Sequence, residues 1–311
     1  MNKLQCLLCF LLVGLSCSVF AAKLAYSLEP QKIADDTWLL QGKLEDFSRE
    51  NGGNIVNTAF IVTAEGVVVF DTGPSKRYGE AMLQAIGSVT DKPVIHVFNS
   101  HHHPDHFLGN QAFSDTKIWA LPETGKLIAQ QGNAFAENMY RLVGDWMRST
   151  EVQLPTDPLD IVAMSLMEVG NHRFRFYKMM GHSGADLLML DETTGVLFAS
   201  DIVFFQRALT TPHTPSLSVW VANLEQLKNL QYTTLVPGHG PVDTTGLAIE
   251  QMVDYLHWLD KTLMGAASRG LSMNEVMALP IDARFSDISL TRSEFVRSVF
   301  HLYGRYEEAS F

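Results

Sequence analysis

Ser100-His101-His102-His103-Pro104-Asp105-His106 is the stretch whose reading decides the fold. It follows the apolar run Val94-Ile95-His96-Val97-Phe98, a short buried strand by pattern, and Pro104 marks the start of a helix. Ligands at a strand end sit on a rigid base and stay free to converge. His101 and His103 flank one residue, so both imidazoles can reach a single metal. Asp105 and His106 lie one turn further on and can reach a second position. His102 reads as the spacer between them.

Three later stretches repeat this design. Gly181-His182-Ser183 follows the strand pattern Phe174–Met179. Asp201 follows Val196–Ala199, and Gly238-His239-Gly240 follows Thr234–Val236. Each puts one metal-competent side chain at a strand end.

Around these points the pattern alternates strands and helices. Strands are expected at 36–40, 55–63 and 66–70, then at 92–98 and 117–120, with a helix over 75–86. A long helix spans 122–147 with a break near Gly132, and its stripe Phe135, Met139, Leu142, Val143 and Trp146 reads as core packing. Val169-Gly170-Asn171-His172 is a hairpin signal. Strands at 174–179, 186–190 and 196–199 follow, then a helix over 217–230 and the strand 234–236. Further helices are expected at 248–264, 273–278 and 293–303. The two similar halves, each ending in helix, predict an α/β fold of two packed mixed sheets with helices on the outer faces. No linker rich in Pro, Gly or Ser divides the chain, so residues 22–311 read as a single domain.

Composition narrows the function. With 46% apolar and 18% charged residues over 311 positions, the chain can bury a core and is not a disordered tail. A net charge of -11 without a Lys/Arg run disfavours nucleic acid and anionic lipid as partners and leaves a small-molecule substrate. Residues 1–21, MNKLQCLLCFLLVGLSCSVFA, have the basic, apolar and small-residue order of a signal peptide, with cleavage after Ala21. That predicts a periplasmic protein with no stable membrane insertion after cleavage. Cys6, Cys9 and Cys17 all lie in that segment, so a mature chain has no thiolate and must build any metal site from His and carboxylates.

The ordered set His101-x-His103-x-Asp105-His106, His182, Asp201 and His239, together with Phe70-Asp71-Thr72-Gly73, resembles the metallo-β-lactamase superfamily over residues 30–265. The resemblance implies the αββα sandwich. It also implies a dinuclear zinc hydrolase in which a metal-bridging hydroxide attacks a small ester, thioester, lactone or amide. His101, His103 and His182 would hold the first zinc, Asp105, His106 and His239 the second, and Asp201 would bridge them. Asp105 would also orient the nucleophile or carry its proton, and Asp71 would orient a ligating histidine. Ligand type leaves Fe and Mn open. A bridging Asp resembles glyoxalase-like and general hydrolase branches more than dedicated β-lactamases, which carry Cys or Ser there.

Asn51-Gly52-Gly53-Asn54-Ile55, Phe107-Leu108-Gly109-Asn110-Gln111, Tyr140 to Met147 and Thr211-Pro212-His213 resemble the quinoprotein relay system zinc metallohydrolases of the sulfur-oxidation-associated type. That closer resemblance implies a PQQ-dependent periplasmic dehydrogenase as partner. Three other readings stay open: a class B-like β-lactamase, an iron-dependent thiol or persulfide oxygenase, and a non-catalytic accessory of a quinoprotein dehydrogenase. His213, Asn54, Tyr140 and Arg141, with Arg207, are the candidates for the substrate rim. His96 reads as a core histidine, and His172, His257 and His301 as structural or surface residues.

Overall fold

A computed structural model describes residues 24–310. The expected signal peptide lies outside these residues. Seven strands form the first sheet in sequence order: β1 (Gln31–Ala34), β2 (Thr37–Leu40), β3 (Thr58–Val62), β4 (Val67–Phe70), β5 (Val94–Phe98), β6 (Lys117–Ala120) and β7 (Asp157–Pro158). The first four pair antiparallel and the rest parallel. The second sheet runs β12 (Thr234–His239), β11 (Val196–Phe204), β10 (Asp186–Asp191), β9 (His172–Met179) and β8 (Leu166–Val169). It is antiparallel except where β12 lies parallel to β11.

The strands read as near-continuous apolar runs because both of their faces are covered. In β4, Val68 and Phe70 point between the sheets, where they meet Phe98, Phe174, Phe176 and Phe198. Val67 and Val69 point the other way, toward Met82 and Ile86 of α1 (Lys76–Gly87). Across the second sheet, Leu188, Leu190 and Leu197 pack outward on a helical layer. That layer includes α4 (Leu217–Leu227), α5 (Leu247–Ala267) and α7 (Thr291–Ala309), with Trp220, Leu256 and Phe295 at its centre. The result is the expected αββα sandwich.

Two shorter elements, α2 (Pro104–Phe107) and α6 (Met273–Met277), and the long α3 (Pro122–Val143) complete the chain. α3 continues through Gly132, which packs its bare face on Val152, so the expected break is absent there. The chain turns instead at Gly144, with φ 64°, into a short 3-10 turn. Leu142 is exposed, whereas Met139, Val143 and Trp146 are buried with Phe107 and Leu108. Among the described residues, no helix is long and apolar enough to cross a membrane.

The expected strand 55–63 begins later, at Thr58, because Asn51 to Val56 form turns. Asn51 fixes those turns by accepting from the backbone N–H groups of Ser48 and Gly53. β11 runs on to Phe204 and β12 to His239. Asp201 therefore lies within a strand, at the register shift between Ser200 and Phe204, rather than just beyond one.

Candidate metal centre

Four chain segments deliver the cluster. β5 ends at Phe98 and leads into a bend over His101–His103, with His103 itself extended at φ -74°, ψ 148°. Pro104 at the first helical position starts α2, so Asp105 and His106 turn back over the same point. His182 sits in the turn after β9, where Asp186 accepts from the N–H groups of His182 and Ser183 and from the Ser183 hydroxyl. Burial pushes the Asp186 carboxyl up to about 7. Asp201 comes from the β11 bulge and His239 from the end of β12.

These seven side chains converge. Asp201 Oδ1 lies 3.2 Å from His106 Nε2. Its Oδ2 lies 3.3 Å from His182 Nε2, 3.4 Å from His239 Nε2 and 4.0 Å from His101 Nε2. Asp105 Oδ2 is 3.4 Å from His239 Nε2 and 3.7 Å from His106 Nε2. His103 Nδ1 is 2.8 Å from His182 Nε2. Two groups emerge, His101/His103/His182/Asp201 and Asp105/His106/His239, with Asp201 between them.

The donor set fits divalent cations. Two donors each about 2.0–2.2 Å from one tetrahedral ion lie about 3.4 Å apart, which matches the Asp201 and Asp105 distances. His101 Nε2, His106 Nε2 and Asp201 Oδ1 are buried without a hydrogen-bond partner, a costly arrangement that a cation among them relieves. All-nitrogen-and-oxygen ligation suits zinc, and equally iron or manganese.

The surrounding network fixes which nitrogen faces inward. His106 Nδ1–H donates to Asp71 Oδ2 at 2.7 Å, and His239 Nδ1–H to the Ile55 carbonyl at 2.8 Å. His101 Nδ1 lies 3.0 Å from Ser100 Oγ, and that hydroxyl donates to Asp71 at 2.7 Å while accepting from Ser200 at 2.7 Å. Each contact turns the other ring nitrogen toward the cluster. Asp71, at φ 59°, and Ser200, at φ 45°, hold left-handed backbone conformations beside the centre.

Charge follows burial. Burial lowers the pKa values of His101 and His103, with their imidazole neighbours adding to the effect, and lowers His182 to about 3. All three rings are neutral and ready to ligate. Burial also disfavours the His106 cation, yet Asp201, Asp105 and Asp71 together outweigh it and raise that pKa. Burial likewise opposes ionisation of Asp201, but His239, His106 and His182 overcome it and hold the carboxyl well below its usual range.

The rim candidates separate. A cleft of about 240 Å³ opens on His103, Asp105, Asp201 and His239, lined also by Phe135, Arg207, His213 and His301. His213 touches His103, with Nδ1 2.6 Å from His103 Nε2. Tyr140 and Arg141 lie exposed on the outer side of α3, where Arg141 pairs with Glu137, and neither lines the cleft. Phe135 and Asn138 line it from that helix instead. Asn54 lies in the 51–56 turns, away from the cleft wall. His301, expected to be a structural or surface residue, lines the cleft from α7. His96 accepts from Trp119 Nε1, and His172 is held by Asp191, so both are structural. The sequence reading missed Ser100, Ser200, Asp186 and Ile55, which act through hydroxyl, carboxylate and backbone contacts that no ligand spacing signals.

Comparison with known proteins agrees with this geometry. Residues 51–239, more than half of the chain, match the family model described as metallo-beta-lactamase superfamily. A linear primary-alkylsulfatase from Pseudomonas sp. (strain ATCC 19151) is 21% identical over 254 residues, covering 65% of this chain and 47% of the relative. The chain thus spans about half the length of that curated relative. Among solved structures, a metallo-beta-lactamase from Pontibacter korlensis superposes with a TM-score of 0.58 at 20% identity, covering 74% of this chain and 99% of the other. One from Hirschia baltica gives 0.58 at 17% identity, covering 74% and 98%. At these identities the superpositions speak for the fold. With the family match running from before β3 to the end of β12 and taking in all seven clustered side chains, the chain belongs to the metallo-beta-lactamase superfamily.

Proposed function

We propose that this protein is an exported dinuclear zinc hydrolase that cleaves a small ester, thioester, lactone or amide. The observation that supports it best is the position of Asp201, within 3.2–4.0 Å of four imidazoles drawn from both groups. His101, His103 and His182 would hold one ion, Asp105, His106 and His239 the other, with Asp201 shared. When bound, the ions would polarise the bond under attack and lower the pKa of water toward about 7.

The chain's own groups do the rest. Asp105 lies at the cleft floor and can take up the proton released by an attacking water at its carboxylate. Phe135, Pro212 and Ile55 line the approach and offer an apolar wall to a bound substrate. Asp71 and Ser100 hold the histidines in register.

A sulfate ester is a second reading, supported by the similarity to an alkylsulfatase. The stretches 51–55, 107–111, 140–147 and 211–213 support service to a PQQ-dependent dehydrogenase, and residues 1–21 support export to the periplasm. The test is a hydrolysis panel on zinc-loaded protein covering esters, thioesters, lactones, amides, β-lactams and alkyl sulfates. Turnover lost in Asp105→Asn and on chelation supports the proposal. A fully metallated protein that turns over no member of the panel contradicts it.

A further inference from the structure

We propose that His213 has two functions set by one proton: it orients His103 through Nδ1, and it presents Nε2–H to an acceptor oxygen of the substrate in the cleft. This rests on the reading of His103 as a metal ligand.

The argument is a count of ring protons. His103 Nδ1 faces His182 Nε2 at 2.8 Å inside the metal cluster, so that nitrogen carries the lone pair. A neutral imidazole has one N–H, which places the His103 proton on Nε2. Nε2–H then donates to His213 Nδ1 at 2.6 Å. His213 has spent its Nδ1 lone pair as acceptor, so its own proton sits on Nε2. That atom has no partner among the described residues and is not one of the fully buried polar atoms, and the ring lines the cleft. A donor of fixed tautomer therefore faces the space that the scissile group would enter.

The loop carrying His213 is held for this purpose. Pro212 and Pro215 restrict it. Thr211 Oγ1 donates to Ser298 Oγ at 3.1 Å, and Thr214 Oγ1 donates to the Gly181 carbonyl at 2.5 Å, next to His182. Arg305 donates to the Thr214 and Pro215 carbonyls at 3.1 Å each. His102 packs against the His213 ring with centroids 4.9 Å apart. The ligand class that suits this wall has a carbonyl or sulfuryl oxygen beside the cleaved bond and an apolar body against Phe47, Ile55 and Phe135.

His102, His103 and His213 also form a third group of imidazoles, for which a third cation is the competing occupant. Zinc-loaded wild type is compared with His213→Asn and His213→Gln. The Asn oxygen takes the place of Nδ1 and keeps the acceptor for His103. The Gln amide reaches the place of Nε2 and keeps the cleft donor. We expect His213→Asn to hold zinc as wild type does, with kcat/KM for p-nitrophenyl acetate lowered about 10²–10³-fold. His213→Gln weakens zinc, read by chelator competition, roughly 10–100-fold. Long-range proton–nitrogen spectra of histidine-labelled wild type show His213 as the Nε2–H tautomer. An Nδ1–H tautomer, equal zinc loss in both variants, or a third zinc equivalent that His213→Asn loses overturns the proposal. A wild type that holds no zinc overturns the hydrolase reading with it, whereas normal zinc content with the pattern reversed overturns this inference alone.

Discussion

Asp71 shows how much of this site is set by residues that need not touch an ion. Its carboxylate accepts from the Ser100 N–H, the Ser100 hydroxyl and His106 Nδ1. Asp71→Ala frees the His106 ring and is expected to weaken metal binding roughly 10–100-fold, measured by chelator competition. Wild-type affinity in that variant contradicts the assigned role. Burial gives the metal-free protein a pH dependence at the same scale. His102, lowered to about 4 by burial and the neighbouring His213, and His182, lowered to about 3, stay neutral in the fold. Each gains a proton near pH 6.5 when unfolded. The unfolded chain binds more protons, so stability rises with pH. Between pH 6.5 and pH 4, each of the two costs up to about 1.4 kcal/mol of stability per unit of acidification. The raised His106 and the burial-raised carboxyls of Asp71 and Asp186 act in the opposite direction, whereas Asp201, held low, loses stability on acidification as those histidines do. Urea unfolding of chelator-treated protein at pH 7 and 5 checks the net sign, and a more stable protein at pH 5 contradicts it.

At the scale of elements, the inter-sheet layer carries the site on its rim. Phe198 is buried in β11 and lies 5.5 Å, centroid to centroid, from Phe70 of β4. Phe198→Ala leaves a cavity between the sheets and is expected to cost about 3–5 kcal/mol in denaturant unfolding. A loss below about 1 kcal/mol means the sheets do not depend on that contact. The β12 end is tighter still. A Cβ at Gly238 would fall 1.9 Å from Asp201 Oδ1 and 2.7 Å from the Ser200 carbonyl carbon. Gly238→Ala therefore displaces the shared carboxylate, and we expect it to lose metal before it loses secondary structure. Metal analysis beside circular dichroism separates the two.

For the molecule as a whole, the residues that cluster were legible because their spacing and their places near strand ends are one-dimensional features. The alternation of strands and helices made the layers legible too. The extension of β11 past Asp201 was not, since it depends on a bulge that pairs with β12 only in the folded sheet. Tyr140 and Arg141 misled because a sequence likeness says nothing about which side of α3 faces the cleft. The roles of Ser100 and Ile55 are tertiary, formed by a hydroxyl and a carbonyl that any strand end could carry. Metal should also govern global stability. Zinc at 100 times its dissociation constant adds about 2.7 kcal/mol to the folded state, a rise of roughly 4 °C in Tm for a chain of this size. An unchanged Tm on adding zinc to the metal-free protein contradicts this.

The most direct test is elemental analysis of purified, folded protein after dialysis against zinc. Two equivalents per chain, falling below two in Asp201→Ala, are what seven converging side chains around a shared carboxylate predict. Fewer than one equivalent on a folded chain contradicts the account at its centre.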